Sequence, residues 1–191
     1  METMHREVPH ATEHANATIT LAGGCFWCLE AVFREVRGVV DVECGYSNGT
    51  QEQASYDAVC TGQTGYAEVV RIEFDPAMVS LQQLLDIFFA SHDPTSLNGQ
   101  GADIGTQYRS AIFCSSDAQQ RQVMQWLDEA RRHYAHPVRT EVARCERYHR
   151  AEEYHQRYFE NHPYQGYCAV VVAPKVDAFR QAFPEWQRTA S

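Results

Sequence analysis

The chain has 191 residues, 44% of them hydrophobic, enough for one well-buried core within the size range of a single domain. Sixteen Lys and Arg against 25 Asp and Glu leave a net charge of -9, which repels a phosphate backbone and an anionic membrane surface and sets nucleic acid and lipid aside as partners. The opening "METMHREVPHATEHANA" lacks the apolar stretch of a signal peptide, and no run approaches the roughly 18 consecutive apolar residues of a spanning helix, so a cytoplasmic protein is expected.

The first element is "ATITLAGG", which alternates polar and apolar residues up to paired glycines and predicts a strand ending in a tight turn. A helix follows, with Leu29, Val32, Phe33 and Val36 at helical spacing and Gly38 placed to end it. Then come a strand-like "VVDVECGY", a polar loop from 47 to about 64, and a second strand "AEVVRIEFD" closed by Pro76. "SLQQLLDIFFASH" opens on a capping Ser80 and gathers Leu84, Leu85, Phe88 and Phe89 on one helix face. The polar stretch "HDPTSLNGQGADIGTQY" has neither period; loops of that length inside a domain are often functional. "RSAIF", a helix over 116–134 and "PVRTEVA" complete an order of β-α-β, β-α-β, α-β. That order predicts an α+β two-layer sandwich resembling the ferredoxin-like split βαβ arrangement. The C-terminal extension, 147–191, is read as irregular apart from one helix around "AEEYHQRYF" and a short amphipathic helix at "VDAFRQAF". With no repeat, low-complexity tract or linker, residues 1–191 are read as one catalytic domain with its core at about 18–168.

Seven cysteines form an odd set in a chain too large to depend on disulfide staples, so thiols are expected. Cys44, Cys114 and Cys145 lie in strand-like segments and read as small buried hydrophobes, and Cys60 reads as structural. Cys25 and Cys28, in "AGGCFWCLEAVF", are different: metal clip, dithiol and activated nucleophile all fit them. A structural zinc site wants four ligands, usually as two close pairs. Only one CxxC exists, there is no HExxH, and His149 and His155, six apart, would fall on different faces of a helix, so zinc is disfavoured. A thiol at a helix start lies in the field of unpaired backbone N–H groups, which favours thiolate at Cys25, and Gly23 and Gly24 let a substrate approach the sulfur. Phe26 and Trp27 read equally as core aromatics or as the walls of an apolar pocket. A single CxxC at a helix start also describes thioredoxin-like dithiol enzymes.

Five stretches in order, "GCFWCLE", "YDAVCTGQTGYAEVVRIEFDP", "HDPTSLNGQGADIGTQYRSAI", "AEEYHQRYF" and "NHPYQGYC", resemble the successive motifs of the type A methionine sulfoxide reductases, the peptide-methionine (S)-S-oxide reductases. The resemblance runs from about residue 18 to 168 and implies an oxidoreductase of protein repair and oxidative stress. By it, Cys25 matches the nucleophile that attacks the sulfoxide sulfur and becomes a sulfenic acid. Phe26 and Trp27 match the pocket for the substrate's methyl group, and Glu68 the carboxyl that bonds and protonates the sulfoxide oxygen. Tyr56 and Tyr108 match the two phenols that donate to that oxygen, and Asp103 a residue associated with the substrate. Cys168 matches the resolving cysteine that closes a disulfide on Cys25. The substrate implied is the S epimer of methionine sulfoxide, free or in oxidised proteins. The enzyme implied is a monomer without bound metal or organic cofactor, cycled by an external thioredoxin-like reductant.

The chemistry of the residues is compatible with those roles. A sulfoxide oxygen leaves poorly unless protonated, and an acid useful near neutrality needs a carboxyl raised by apolar burial. Glu68 sits on the apolar "AEVV", although an ordinary solvent-facing strand carboxylate is the plainer reading of the sequence. The chain also departs from the family. Cys28 stands where glycine is common and offers a second, local resolver. Tyr66 replaces a histidine, Asn48 stands in a usually glycine-rich turn, and no further cysteine follows Cys168. The runner-up function is a general dithiol-disulfide oxidoreductase using Cys25 and Cys28; the third is a thiol redox sensor or zinc-binding module.

Overall fold

The computed structural model describes residues 15–189; the polar N-terminal opening read above lies outside them up to residue 14. In chain order the strands and helices are β1 (Ala17–Ala22), α1 (Phe26–Arg34), β2 (Val39–Ser47), α2 (Tyr56–Cys60), β3 (Ala67–Phe74), α3 (Leu81–Ser91), β4 (Gly99–Gln100), β5 (Asp103–Ile104), β6 (Ala111–Cys114), α4 (Asp117–Ala130), β7 (Glu141–Arg144), β8 (His149–Arg150), α5 (Tyr158–Asn161) and α6 (Ala173–Ala182).

The main sheet runs β7-β6-β1-β3-β2-β8. Its inner four strands are antiparallel at every pairing, with β3 inserted between β1 and β2, which are joined through α1. That is the split βαβ arrangement expected from the order of elements. β7 adds in parallel beside β6, and β8 closes the other edge on Gly45 and Tyr46.

Period-two alternation assigns the faces. Ile19 and Leu21 of β1, Val70, Ile72 and Phe74 of β3, and Ile112 and Cys114 of β6 join one core with the apolar sides of α1, α3, α4 and α6. On the opposite face Ala22, Ala67, Val69, Ala111 and Phe113 form a second, smaller cluster covered by Ala143, Cys145 and Tyr148. Ser80 caps α3 in a full capping box with Gln83, as its sequence suggested.

Several expectations need correction. The stretch 151–159 is not one helix: a 3-10 turn at Glu153–His155 gives way to extended Gln156, left-handed Arg157 (φ 53) and the short α5. His149 and His155 therefore share no helix. The extension is not irregular either, because helix runs from 166 to 182, through a π-helical stretch Cys168–Val172 into α6. An apolar face, Cys168, Val172, Val176 and Phe179, docks this helix into the main core, and that burial outweighs the β-branched run "AVVV" and the proline. The loop from 47 to 64 contains α2, capped by Ser55, and the long loop after α3 folds into the β4-β5 hairpin and a 3-10 turn, Thr106–Tyr108. α1 ends at Arg34, leaving Gly38 (φ 89) to make the turn into β2.

Candidate active site

The site is built where the end of β1 delivers the chain into α1. Gly23 has no room for a side chain: a Cβ there would lie 2.9 Å from the Phe88 ring and 3.0 Å from the His92 ring. Gly24 takes φ 86, disfavoured for other residues, and its amide donates to the Tyr108 carbonyl at 3.2 Å. Together they turn the backbone sharply so that Cys25 becomes the N-cap of α1 and Phe26 its first residue.

Glu68 lies beneath that helix start. In β3 it is in phase with Val70, Ile72 and Phe74, so its side chain points to the helical face, where it is 2% exposed. The strand's polar exceptions, Arg71 and Glu73, lie out of phase. The solvent-facing reading of Glu68 is thus corrected, and the signal was available in the phase of the strand. The Phe26 amide donates to Oε2 of Glu68 at 3.1 Å, a bond that favours the carboxylate. Burial outweighs it, reinforced by the nearby charges of Asp103 and Cys28, and pushes the carboxyl up to about 8. At neutral pH Glu68 holds its proton.

Tyr56, first in α2, and Tyr108, at the end of the 3-10 turn, converge on Glu68 from two loops. Burial chiefly raises both phenols, and the charge of Glu68 adds to each, so both remain neutral hydroxyl donors. Asp103, in β5, accepts from the Tyr167 hydroxyl at 2.7 Å, and that hydroxyl lies 4.0 Å from the Cys28 sulfur. Phe26 and Trp27 point into an aromatic cluster: Phe26 lies 5.8 Å from Tyr46 and 5.0 Å from His155, and Trp27 stacks on Tyr158 at 3.8 Å and 6°. Tyr167 stands edge-on to Trp27. Neither ring nitrogen of buried His155 has a hydrogen-bond partner among the described residues, nor has Nε1 of Trp27.

All seven cysteines are free, but their environments differ. The field at the helix start does not govern Cys25. The adjacent Cys28 sulfur, burial and the charge of Glu68 raise its thiol well above the ordinary range, against a lowering bond from the Trp27 backbone. Cys28 is the lowered member of the pair, through the Cys25 thiol first and then the charge of Lys175 and the Tyr167 hydroxyl. The expected thiolate at Cys25 is therefore corrected: of the two sulfurs, Cys28 is the one whose surroundings favour thiolate. Cys168 is fully buried in the main core and its thiol is raised, by burial and then by the charge of Cys28. Cys44 and Cys114 are buried strand residues as expected. Cys60, read as structural, is exposed at the end of α2 beside the Tyr56 phenol.

Of the residues matched to the family's roles, Cys25, Phe26, Trp27, Cys28 and Glu68 thus meet at the start of α1, Tyr56, Tyr108 and Asp103 lie around them, and Cys168 is buried in the main core. Sequence reasoning weighed His155 only as a zinc ligand and passed over Tyr158 and Tyr167, which with it wall the aromatic cluster, and Glu152, which accepts from the Tyr46 hydroxyl, the Tyr56 amide and the Tyr154 hydroxyl. They lie inside quoted motifs, but no periodicity marks them, since the short turns and helix ends that carry them are set by tertiary contacts. Tyr66 is buried against Gly49, with its hydroxyl on the Gln51 carbonyl and 3.1 Å from Nε2 of His149. It braces the loop before α2. Asn48, at φ 59, takes the left-handed turn. No three His, Cys, Asp or Glu side chains among the described residues gather as metal ligands.

A buried neutral carboxyl, two phenols and a cysteine pair at a helix start, beside an aromatic pocket, define a thiol enzyme equipped to protonate an oxygen. The family model described as peptide methionine sulfoxide reductase matches residues 17–187, and the chain belongs to that family. A relative from Polynucleobacter asymbioticus, peptide methionine sulfoxide reductase MsrA, is 53% identical over 86% of this chain and 87% of its own. Among solved structures, methionine sulfoxide reductase A of Corynebacterium diphtheriae matches with TM-score 0.76 and 30% identity over 80% of this chain and 77% of its own. Mxr1 from Saccharomyces cerevisiae in reduced form matches with TM-score 0.74 and 38% identity over 80% and 88%. The same yeast protein in complex with Trx2 matches with TM-score 0.52 and 26% identity over 75% and 84%. The chain is accordingly an enzyme, a thiol-dependent reductase of methionine sulfoxide.

Proposed function

We propose that this chain reduces the S epimer of methionine sulfoxide, free or in oxidised proteins, through a sulfenic acid at Cys25 and an intramolecular disulfide. The sulfoxide's methyl group sits against Phe26 and Trp27, and its oxygen accepts from Glu68, Tyr56 and Tyr108, with Asp103 shaping the site through Tyr167. As Cys25 attacks the sulfur, its proton passes to the Cys28 sulfur and Glu68 supplies one to the oxygen. The S–O bond then breaks as the hydroxyl passes to the Cys25 sulfur, the transient bond between the two sulfurs breaks with its electron pair left on methionine, and methionine departs from a Cys25 sulfenic acid. Cys28 or Cys168 then attacks that sulfur, forming a disulfide and releasing water. A thioredoxin-like dithiol reduces the disulfide, and no bound metal or organic cofactor takes part. The residues 1–191 act as one catalytic domain, a cytoplasmic monomer; no described helix is long and apolar enough to cross a membrane.

The observation that carries this reading is Glu68: a carboxyl raised to about 8 and bonded to the amide beside Cys25 holds a proton where a sulfoxide oxygen needs one. A dithiol-disulfide exchange, by contrast, has no oxygen to protonate. The test is a single turnover with separated R and S methionine sulfoxide and no added reductant. About one methionine per chain from the S epimer, with two thiols lost, is expected. No methionine from reduced protein would overturn the reading, and insulin reduction surviving Glu68→Gln would favour the dithiol alternative.

A further inference from the structure

Glu30 lies one helical turn beyond Phe26 and Trp27 on α1 and is only 1% exposed. Its carboxyl is raised by burial, and bonds from the Arg157 and Tyr158 amides and the charge of Arg34 pull it back. Oε1 accepts from the Arg157 amide at 2.7 Å. Burying a carboxyl on an otherwise apolar helix face is costly, and Oε2 has no hydrogen-bond partner among the described residues, so the bond to Arg157 needs an account in terms of what it holds.

What it holds is an improbable backbone. Arg157 has φ 53 and ψ 36, a left-handed conformation that side-chain-bearing residues seldom adopt. The residues on either side of this turn wall the aromatic pocket. His155 lies 5.0 Å from Phe26 and 5.6 Å from Trp27, and Tyr158 stacks on Trp27. From the other side Gln156 bonds both backbone groups of Cys44, at 2.9 Å to the amide and 3.0 Å to the carbonyl. The segment 155–158 thus spans the face of α1 that carries Trp27 and Glu30, pinned to β2 by Gln156 and to α1 by Glu30.

We propose that Glu30 is a positioning residue for the substrate's methyl pocket: its buried carboxyl clamps the Arg157 amide, fixes the left-handed turn and thereby holds Tyr158 and His155 against Trp27 and Phe26. Glu30 contacts neither the sulfoxide nor Cys25. It governs how firmly the methyl group is held, not how the oxygen is protonated. This rests on the reading of Phe26 and Trp27 as the methyl pocket.

The test compares Glu30→Ala and Glu30→Gln with the parent in a background carrying Trp126→Phe and Trp186→Phe, which leaves Trp27 as the only tryptophan. With S methionine sulfoxide and dithiothreitol, Glu30→Ala is expected to raise KM by about tenfold with kcat within about twofold, and Glu30→Gln, which keeps a carbonyl acceptor, to restore most of the loss. Without substrate, acrylamide should quench Trp27 more readily in Glu30→Ala than in the parent. A KM and a quenching constant at parent values, or a fall in kcat with KM unchanged, would overturn the clamp. Should Glu30→Ala fail to fold, adding Arg157→Gly removes the cost of the left-handed turn while leaving the amide unclamped, and the same KM increase is expected. Loss of turnover by the parent itself would overturn the methyl-pocket reading, whereas Trp27 quenching would still decide the clamp.

Discussion

In the proposed mechanism Glu68 must stay protonated at the working pH while accepting a hydrogen bond that favours its ionised form. Burial decides the balance, lifting the carboxyl from an ordinary 4.5 to about 8 despite the Phe26 amide. As an acid it is competent below that value, so the single-turnover rate is expected to fall as pH rises through about 8, and Glu68→Gln to be much slower and to lack that limb. A rate unchanged in the amide variant would remove Glu68 from the chemistry. The same shift has a stability consequence. A carboxyl raised in the folded state binds its proton more tightly there than in the unfolded chain. Its contribution is therefore whole below about 4.5 and is lost as pH rises toward 8, at no more than about 1.4 kcal/mol per pH unit crossed. Chemical denaturation at pH 5, 7 and 9 should show Glu68→Gln losing less stability over that range than the parent.

At the scale of elements, the loop after α3 is anchored at its root by His92. Nδ1 lies 2.7 Å from the Phe88 carbonyl and so donates to it, leaving Nε2 to accept from the Ser110 hydroxyl, also at 2.7 Å. Ser110 in turn meets the Thr140 hydroxyl at 2.8 Å, joining the end of α3 to the approaches of β6 and β7. Enclosure among apolar groups lowers the imidazole to about 4. An imidazole lowered in the folded state leaves the unfolded chain to take up the proton first, so stability should fall as pH drops from about 6.5 to about 4. His92→Gln is expected to flatten that limb; a thermal-shift titration in which parent and variant decline alike would show that His92 does not set it. Because Gly23 packs on His92 and Phe88, this joint also sets the height of the turn that presents Cys25.

At the scale of the whole molecule, resolution by Cys168, if it occurs, is expected to require movement. Cys168 is fully buried within a helix, in a π-helical stretch of the kind that often marks functional sites, and its neighbour Tyr167 is tied to Asp103. If Cys168 joins a disulfide with Cys25, residues 166–172 are expected to loosen from that helix. Hydrogen exchange there is expected to be faster after one turnover than in the reduced enzyme, and the acceleration to vanish in Cys168→Ser. Equal protection in both states, together with full cycling by Cys168→Ser, would assign resolution to Cys28.

The sequence by itself determined the α+β class and the split βαβ order, because period-two strands and amphipathic helices follow from side-chain pattern alone. It also determined the family, since five motifs in order carry that information without coordinates. The phase of β3 even held the direction of Glu68, unused among the other apolar residues. Only the tertiary structure decided the rest. The helix from 166 to 182 forms because its apolar face finds the core, a long-range contact that local propensity does not report. The broken segment around Arg157 follows the bond from Glu30, 127 positions away. The protonation of Cys25, Cys28 and Glu68 was likewise beyond the sequence, because each shift is set by burial and by charges from distant elements, which exist only once the chain has folded.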